Sequence, residues 1–246
     1  MSSEQRLDEQ AISKVAENLL SEQVEEAQEL DVDIRTNPIK IVQGEVDSIS
    51  ITGKGLVTQQ DLHVQKIELD LDGIAINLLS VLFGKIELNQ PINSTGRLVM
   101  TEADLNQNLN SDYFLSKLLP LELNVDGQIV LLKFLRPMEL RLPGEGKVVF
   151  SSNLQVCEKD KTQQVCFTGV IHPRTHEHPV LMEKFYFEEG QALSLEILVA
   201  FMEILKKLIN SSYVNYQGTK FRIQEMNVDR GSISLEVEAQ INQIPL

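Results

Sequence analysis

Tryptophan is absent from this 246-residue chain, and aromatic residues make up only 5% of it. A core of that composition must be largely aliphatic. Basic residues are also scarce: 22 Lys and Arg face 36 Asp and Glu, for a net charge of −14. Phosphate-backbone binding needs clustered Lys and Arg, so the balance argues against nucleic acid as a partner. Charge-driven adhesion to anionic lipid is disfavoured on the same ground. Two cysteines, Cys157 and Cys166, do not make a disulfide framework. No stretch of about 20 apolar residues is free of charge, so no transmembrane helix is expected. The polar, acidic start MSSEQRLDEQ lacks the basic and apolar regions of a secretory signal. The expectation from these deficits is a soluble, cytoplasmic protein, with peripheral membrane association left open.

The acidity is uneven. Residues 1–36 carry ten acids against Arg6, Lys14 and Arg35, which is half of the net charge. Ile12, Val15, Leu19 and Val24 recur near helical spacing there, predicting an amphipathic helix over roughly Glu4 to Leu30. A helix with one acidic face packs on its own domain or docks a partner protein. Transient contact with a membrane is the less favoured role, because such helices usually carry Lys and Arg.

From Pro38 the period changes to two. Ile49 and Ile51 alternate with polar residues, as do Ile67, Leu69 and Leu71. The phase slips at Gln65–Lys66, which predicts a bend or bulge. Leu78 to Phe83 reads as a short helical turn. Thr101 with an acid at Asp104 matches a helix N-cap, and Pro120 stops that segment. Asp126-Gly127 signals a hairpin, and alternating runs continue from Leu121 to Ile171. Residues 191–212 predict a second helix, apolar around most of its girth, and such a helix is surrounded by something. At ~1.5 Å per residue it would span roughly 30 Å. The chain closes with Ile233, Leu235, Val237, Ala239 and Ile241 in strict alternation. Two divisions follow: an acidic N-terminal helix, 1–36, and a single domain, 37–246. The class is α+β, with a long curved antiparallel sheet or open barrel wrapped around the apolar helix.

Signatures of catalysis are missing: there is no G-x-S-x-G, P-loop or G-x-G-x-x-G. No catalytic residue, metal or cofactor is therefore assigned, and a non-enzymatic protein is expected. His172, His176 and His178 read as a polar loop rather than a zinc site, because no helix sets their spacing. Asp70-Leu-Asp72 resembles a metal-binding pair, but acids alternating with Ile67, Leu69 and Leu71 are what a solvated strand face requires. A hairpin centred between Lys161 and Thr162 would set Cys157 directly opposite Cys166, as free thiols in a reducing compartment.

The segment from Val46 to about Leu118 resembles the LmeA-like phospholipid-binding family. The residues that carry the resemblance are Gly55-Leu56, Ile74-Ala-Ile-Asn77, Gly84-Lys85 followed by Pro91, and Thr101-Glu-Ala-Asp-Leu-Asn106. The later apolar helix and the closing Ile244-Pro245 extend it to about 200 residues. The resemblance implies a relative of tubular lipid-binding domains, with an apolar groove between a curved sheet and a helix. Its implied ligand is a phospholipid or another amphiphile, which it would carry or sense.

Phe201, Met202, Leu205 and Leu208 form a stripe on the apolar helix, with Leu198 beside it. Phe185 and Phe187 share one face of the preceding strand. Together with Leu82, Phe83 and Phe134 these residues are the candidate groove lining. Each buried methylene is worth about 0.8 kcal/mol, so aliphatic walls alone could hold a lipid. The competing expectation is a closed core, in an interaction protein that docks its partner through the acidic helix.

Overall fold

The computed structural model describes residues 10–241 other than positions 11, 12, 15, 19, 22, 23, 76, 78–86, 160, 174, 176–178, 190, 191, 211–213, 217 and 218. The side chains at 38, 41, 206–210, 214–216 and 219 are likewise outside the description. In chain order the elements begin with β1 (Val24–Glu26), β2 (Glu29–Arg35), α1 (Pro38–Val42), β3 (Glu45–Thr58), β4 (His63–Ala75) and β5 (Ile92–Thr101). Next come α2 (Glu102–Asn110), α3 (Asp112–Lys117), β6 (Leu121–Val125), β7 (Gln128–Gly144), β8 (Lys147–Cys157), β9 (Thr162–His172) and β10 (Leu181–Phe187). The last are α4 (Leu195–Asn210), β11 (Val214–Tyr216), β12 (Thr219–Asp229) and β13 (Ser232–Ile241). The fold is mostly antiparallel sheet, strongly curled as a half-barrel, with few helices, as the α+β expectation required.

Packing divides the chain into two compact units. One comprises Met1–Val99, Ser212–Glu225 and Ser234–Leu246, the other Met100–Ser211 and Met226–Ile233. Residues 37–246, expected as one domain, thus contribute to both.

The eight-stranded sheet has the order β1-β3-β4-β5-β13-β12-β11, and β2 also pairs with β3. Its first strands correct the sequence reading. The predicted helix ends earlier, because Val24–Glu26 and Glu29–Arg35 are strands on the edge of β3. The reason is visible in the side chains. Leu30, Val32 and Ile34 alternate with Asp31, Asp33 and Arg35, and Val32 and Ile34 are buried. A period of two fits a pleated strand and cannot keep one helical face apolar. Helical conformation is retained between Gln10 and Ser21 at the described positions. Ser13, Ala16, Glu17 and Leu20 there are half-buried at i, i+3, i+4 and i+7. The Ser13 hydroxyl accepts the Ile34 N–H at 2.9 Å, so this helix satisfies a backbone donor of β2. Ile12, Val15 and Leu19 lie outside the described residues.

The phase slip expected at Gln65–Lys66 is accommodated across the β3–β4 pair without any shift in register, from Glu45↔Ala75 to Val57↔His63. Gly55 falls opposite Gln65 in that register and adopts φ +55°, a left-handed conformation that a side chain would strain. A Cβ on Gly53 would lie 2.7 Å from the Leu56 side chain. Leu56 therefore covers the face of Gly53 although it stands three residues further on.

The five-stranded sheet of the second unit has the order β10-β9-β8-β7-β6. Asp126 and Gly127 both take positive φ in the hairpin between β6 and β7, as their sequence signals. The helix predicted to run from Thr101 toward Pro120 is two helices. Thr101 forms the expected capping box with Asp104, but Ser111 ends α2 and caps α3. Its hydroxyl donates to Asn108 O at 2.9 Å and accepts from Phe114 N at 3.1 Å. The turn expected over Leu78–Phe83 lies outside the described residues.

One face of α2 closes the edge of β7 beyond the end of β6. Glu102, Asn106 and Asn110 are four residues apart, hence stacked along the helix. The Asn106 amide accepts Leu140 N–H and donates to Leu140 O, both at 2.7 Å. Asn110 does the same for Met138, at 2.9 and 2.7 Å. The Glu102 carboxylate accepts Leu142 N–H at 2.6 Å. Three side chains thereby imitate a neighbouring strand and satisfy backbone groups that an open edge would leave exposed.

Candidate functional site

The inner face of the five-stranded sheet is built by alternation. Leu123 on β6, Val130 and Leu132 on β7, Leu154 and Val156 on β8, and Val165 and Phe167 on β9 are all buried. Helix α4 lies on this face. Ser194 precedes it, and its carbonyl accepts Leu198 N–H at 2.9 Å. Leu193, Ile197 and Phe201, spaced by four, are the buried residues that α4 and its approach bring to the core.

Six phenylalanines pack there with tilted, edge or stacked geometry. Phe167 stacks on Phe185 at 5.2 Å, and Phe201 meets Phe167 and Phe185 edge-on at 6.1 and 5.9 Å. Phe134 and Phe150 continue the cluster at 6.3 Å, and Phe187 sits edge-on to Phe185 at 5.3 Å. Such ring pairs add about 0.5–1.5 kcal/mol each beyond the area they bury.

The structure thus brings together six of the candidate groove residues. Phe201 is 0% exposed, at the centre, whereas Phe134, Phe185, Phe187, Leu198 and Leu205 are half-buried around it. Met202 is half-buried on the helix but outside this cluster. Leu82, Phe83 and the Leu208 side chain lie outside the described residues.

The opposite side of α4 is also apolar. Leu195 is 70% exposed and Val199 51% exposed, and with Met202 they occupy positions i, i+4 and i+7. Leu195 and Val199 were not among the candidates from sequence. A helix apolar around its girth offers no phase by which to choose its outer face. Fully burying such a side chain is worth about 1.5–3 kcal/mol, so the stripe leaves substantial binding free energy unused.

Polar candidates fall elsewhere. His172 contacts Glu183 at 2.8 Å, and Lys147 stands 3.4 Å from the same carboxylate. The hydrogen bond from His172 holds the Glu183 carboxyl below its ordinary range, with Lys147 acting in the same direction. His176 and His178 lie outside the described residues. No group of three or more metal-ligating side chains occurs among the described residues. Asp70 accepts a 2.7 Å hydrogen bond from Ser50 across the β3–β4 pair, and Asp70 and Asp72 are exposed, as a solvated strand face requires.

The cysteine expectation is corrected. Cys157 pairs with Thr162, and Cys166 with Asn153, so the two thiols are four positions out of register. The turn is tighter than the polar segment suggested, closed by Glu158 N–H on Lys161 O at 2.8 Å. Neither cysteine is in a disulfide. Burial, then Glu188 beside it, pushes the Cys166 thiol above its ordinary pKa.

No helix among the described residues is long and apolar enough to cross a membrane. A family model described as LmeA-like phospholipid-binding matches residues 4–238. No curated protein and no solved structure matches the chain.

Proposed function

Because the chain belongs to the LmeA-like phospholipid-binding family, we propose that it binds phospholipid acyl chains non-enzymatically along the outer face of α4. The observation that supports this reading is the exposure of Leu195 and Val199, with half-buried Met202 in line with them, on the side of α4 turned away from the buried cluster. In this reading Phe201 holds the helix to its sheet, and Leu198 and Leu205 form the margin between core and ligand. Methionine suits the third position, because its flexible thioether adapts to chains of varied shape. The protein would carry or sense its lipid through transient contact with a bilayer, since a net charge of −14 opposes lasting adhesion to anionic lipid.

The test is titration of a fluorescent phospholipid into the full chain and into Val199→Glu. The variant should bind at least tenfold more weakly, with an unchanged melting temperature because Val199 is half exposed. Equal lipid affinity in the two proteins would refute the assignment to this face.

A further inference from the structure

Within the first unit, residues of β4, β5, β12 and β13 enclose a cleft of about 410 Å³. Small-molecule sites occupy roughly 300–1,000 Å³, so the cleft is large enough for a compact polar ligand. Its lining carries both signs of charge. Lys220 and Arg222 stand two residues apart on β12, while Asp72 on β4 and Glu238 on β13 supply two carboxylates. On β5 the alternate residues Asn93 and Thr95 share the exposed face and add an amide and a hydroxyl.

The lining is electrically balanced in a chain with only 22 basic residues against 36 acids. Lys220, Asp72 and Glu238 enter no ion pair among the described residues, so their charges are not spent on one another. A purely anionic ligand would be repelled by the two carboxylates, and a purely cationic one by Lys220 and Arg222. A ligand bearing both charges satisfies both pairs. Guanidinium and ammonium groups are suited to phosphate, and carboxylates to an alkylammonium.

We infer that this cleft binds a phosphate joined by a short chain to an ammonium, with the phosphate at Lys220 and Arg222 and the ammonium at Asp72 and Glu238. Two sources share that chemistry: the headgroup of a zwitterionic phospholipid, and a free phosphorylated amino alcohol. The first deepens the lipid reading above and rests on it; the second does not.

Calorimetric titration of the full chain with glycerophosphoethanolamine tests the cleft itself. One saturable site is expected, with binding at least tenfold weaker in Lys220→Gln and in Asp72→Asn. Both positions are exposed, so the variants should melt as the parent does. Inorganic phosphate and ethanolamine, each alone, should also bind at least tenfold more weakly. Failure to saturate, or binding unchanged in both variants, overturns the inference.

Native mass spectrometry after incubation with equimolar phosphatidylethanolamine–phosphatidylglycerol vesicles separates the sources. Preferential capture of phosphatidylethanolamine, lost in Asp72→Asn, supports the lipid headgroup. Saturable glycerophosphoethanolamine binding without lipid capture supports the free metabolite and defeats only the lipid reading. Lipid capture whose composition neither variant alters defeats the cleft assignment and leaves the α4 stripe standing.

Discussion

Asn106 shows how one side chain can do the work of a strand. Its amide both accepts from and donates to Leu140, and a single alanine would leave two half-buried backbone groups without partners. Each unsatisfied group costs about 1–3 kcal/mol. Asn106→Ala should therefore lower unfolding stability by about 2–4 kcal/mol in urea titration, and Asn106→Asp by less, since it keeps the acceptor. A change within about 0.5 kcal/mol for alanine would mean that water serves the edge equally well. Cys166 gives a second expectation at this scale. A thiol with a raised pKa is thiolate to a smaller extent at neutral pH, and the thiolate is the nucleophile. Alkylation of Cys166 in the folded protein should lag behind that in unfolded chain, and its half-maximal rate should come at higher pH. Equal rates in both states would contradict the cause assigned, which is burial beside Glu188. The sequence disclosed Thr101 and Asp104 as a cap because that pattern is local. It did not disclose the partners of Asn106, which lie 34 residues on, nor the register of Cys157, which a two-residue shift of the turn changes by four positions.

At the scale of elements, α4 and the amino-terminal segment behaved differently under sequence reasoning. Helix α4 was legible as a helix, because its apolar run is long and its polar residues are few. Its orientation was not legible, since every side could have been the inner one. The structure places Phe201 inward, and Phe201→Ala should cost about 3–5 kcal/mol, as expected for an aromatic removed from a filled core. Leu205, half-buried at the margin, should lose stability near the lower end of the ~2–5 kcal/mol range for Leu→Ala, together with a clear drop in bound lipid. A full core-sized loss at Leu205 with no effect on lipid would assign it to the core alone. In the amino-terminal segment, helical and strand patterns meet within a few residues. Leu30 ends one apparent helical face and begins the alternation of Val32 and Ile34, so helical spacing alone sets the boundary too late. The described helix there is already engaged with β2 through Ser13, and its exposed described positions are Gln10, Lys14, Asn18 and Ser21.

For the molecule as a whole, strand periodicity and turn chemistry announced a curled antiparallel α+β fold, and the family match over residues 4–238 agrees with the resemblance carried by Gly55-Leu56 and Thr101–Asn106. The division into two compact units was not legible, because no linker-like composition marks it: the chain leaves the first unit at Val99 and returns at Ser212 in the course of ordinary apolar and polar patterning. The central claim is that the uncovered apolar face of α4 is a lipid surface rather than idle exposure. Native mass spectrometry of the full chain, purified without detergent and followed by lipid extraction, addresses it most directly. The expected result is a phospholipid bound at a fixed stoichiometry, released by Val199→Glu while the fold is kept. A protein that carries no amphiphile, takes none from phospholipid vesicles, and is unaffected by Val199→Glu would contradict the claim.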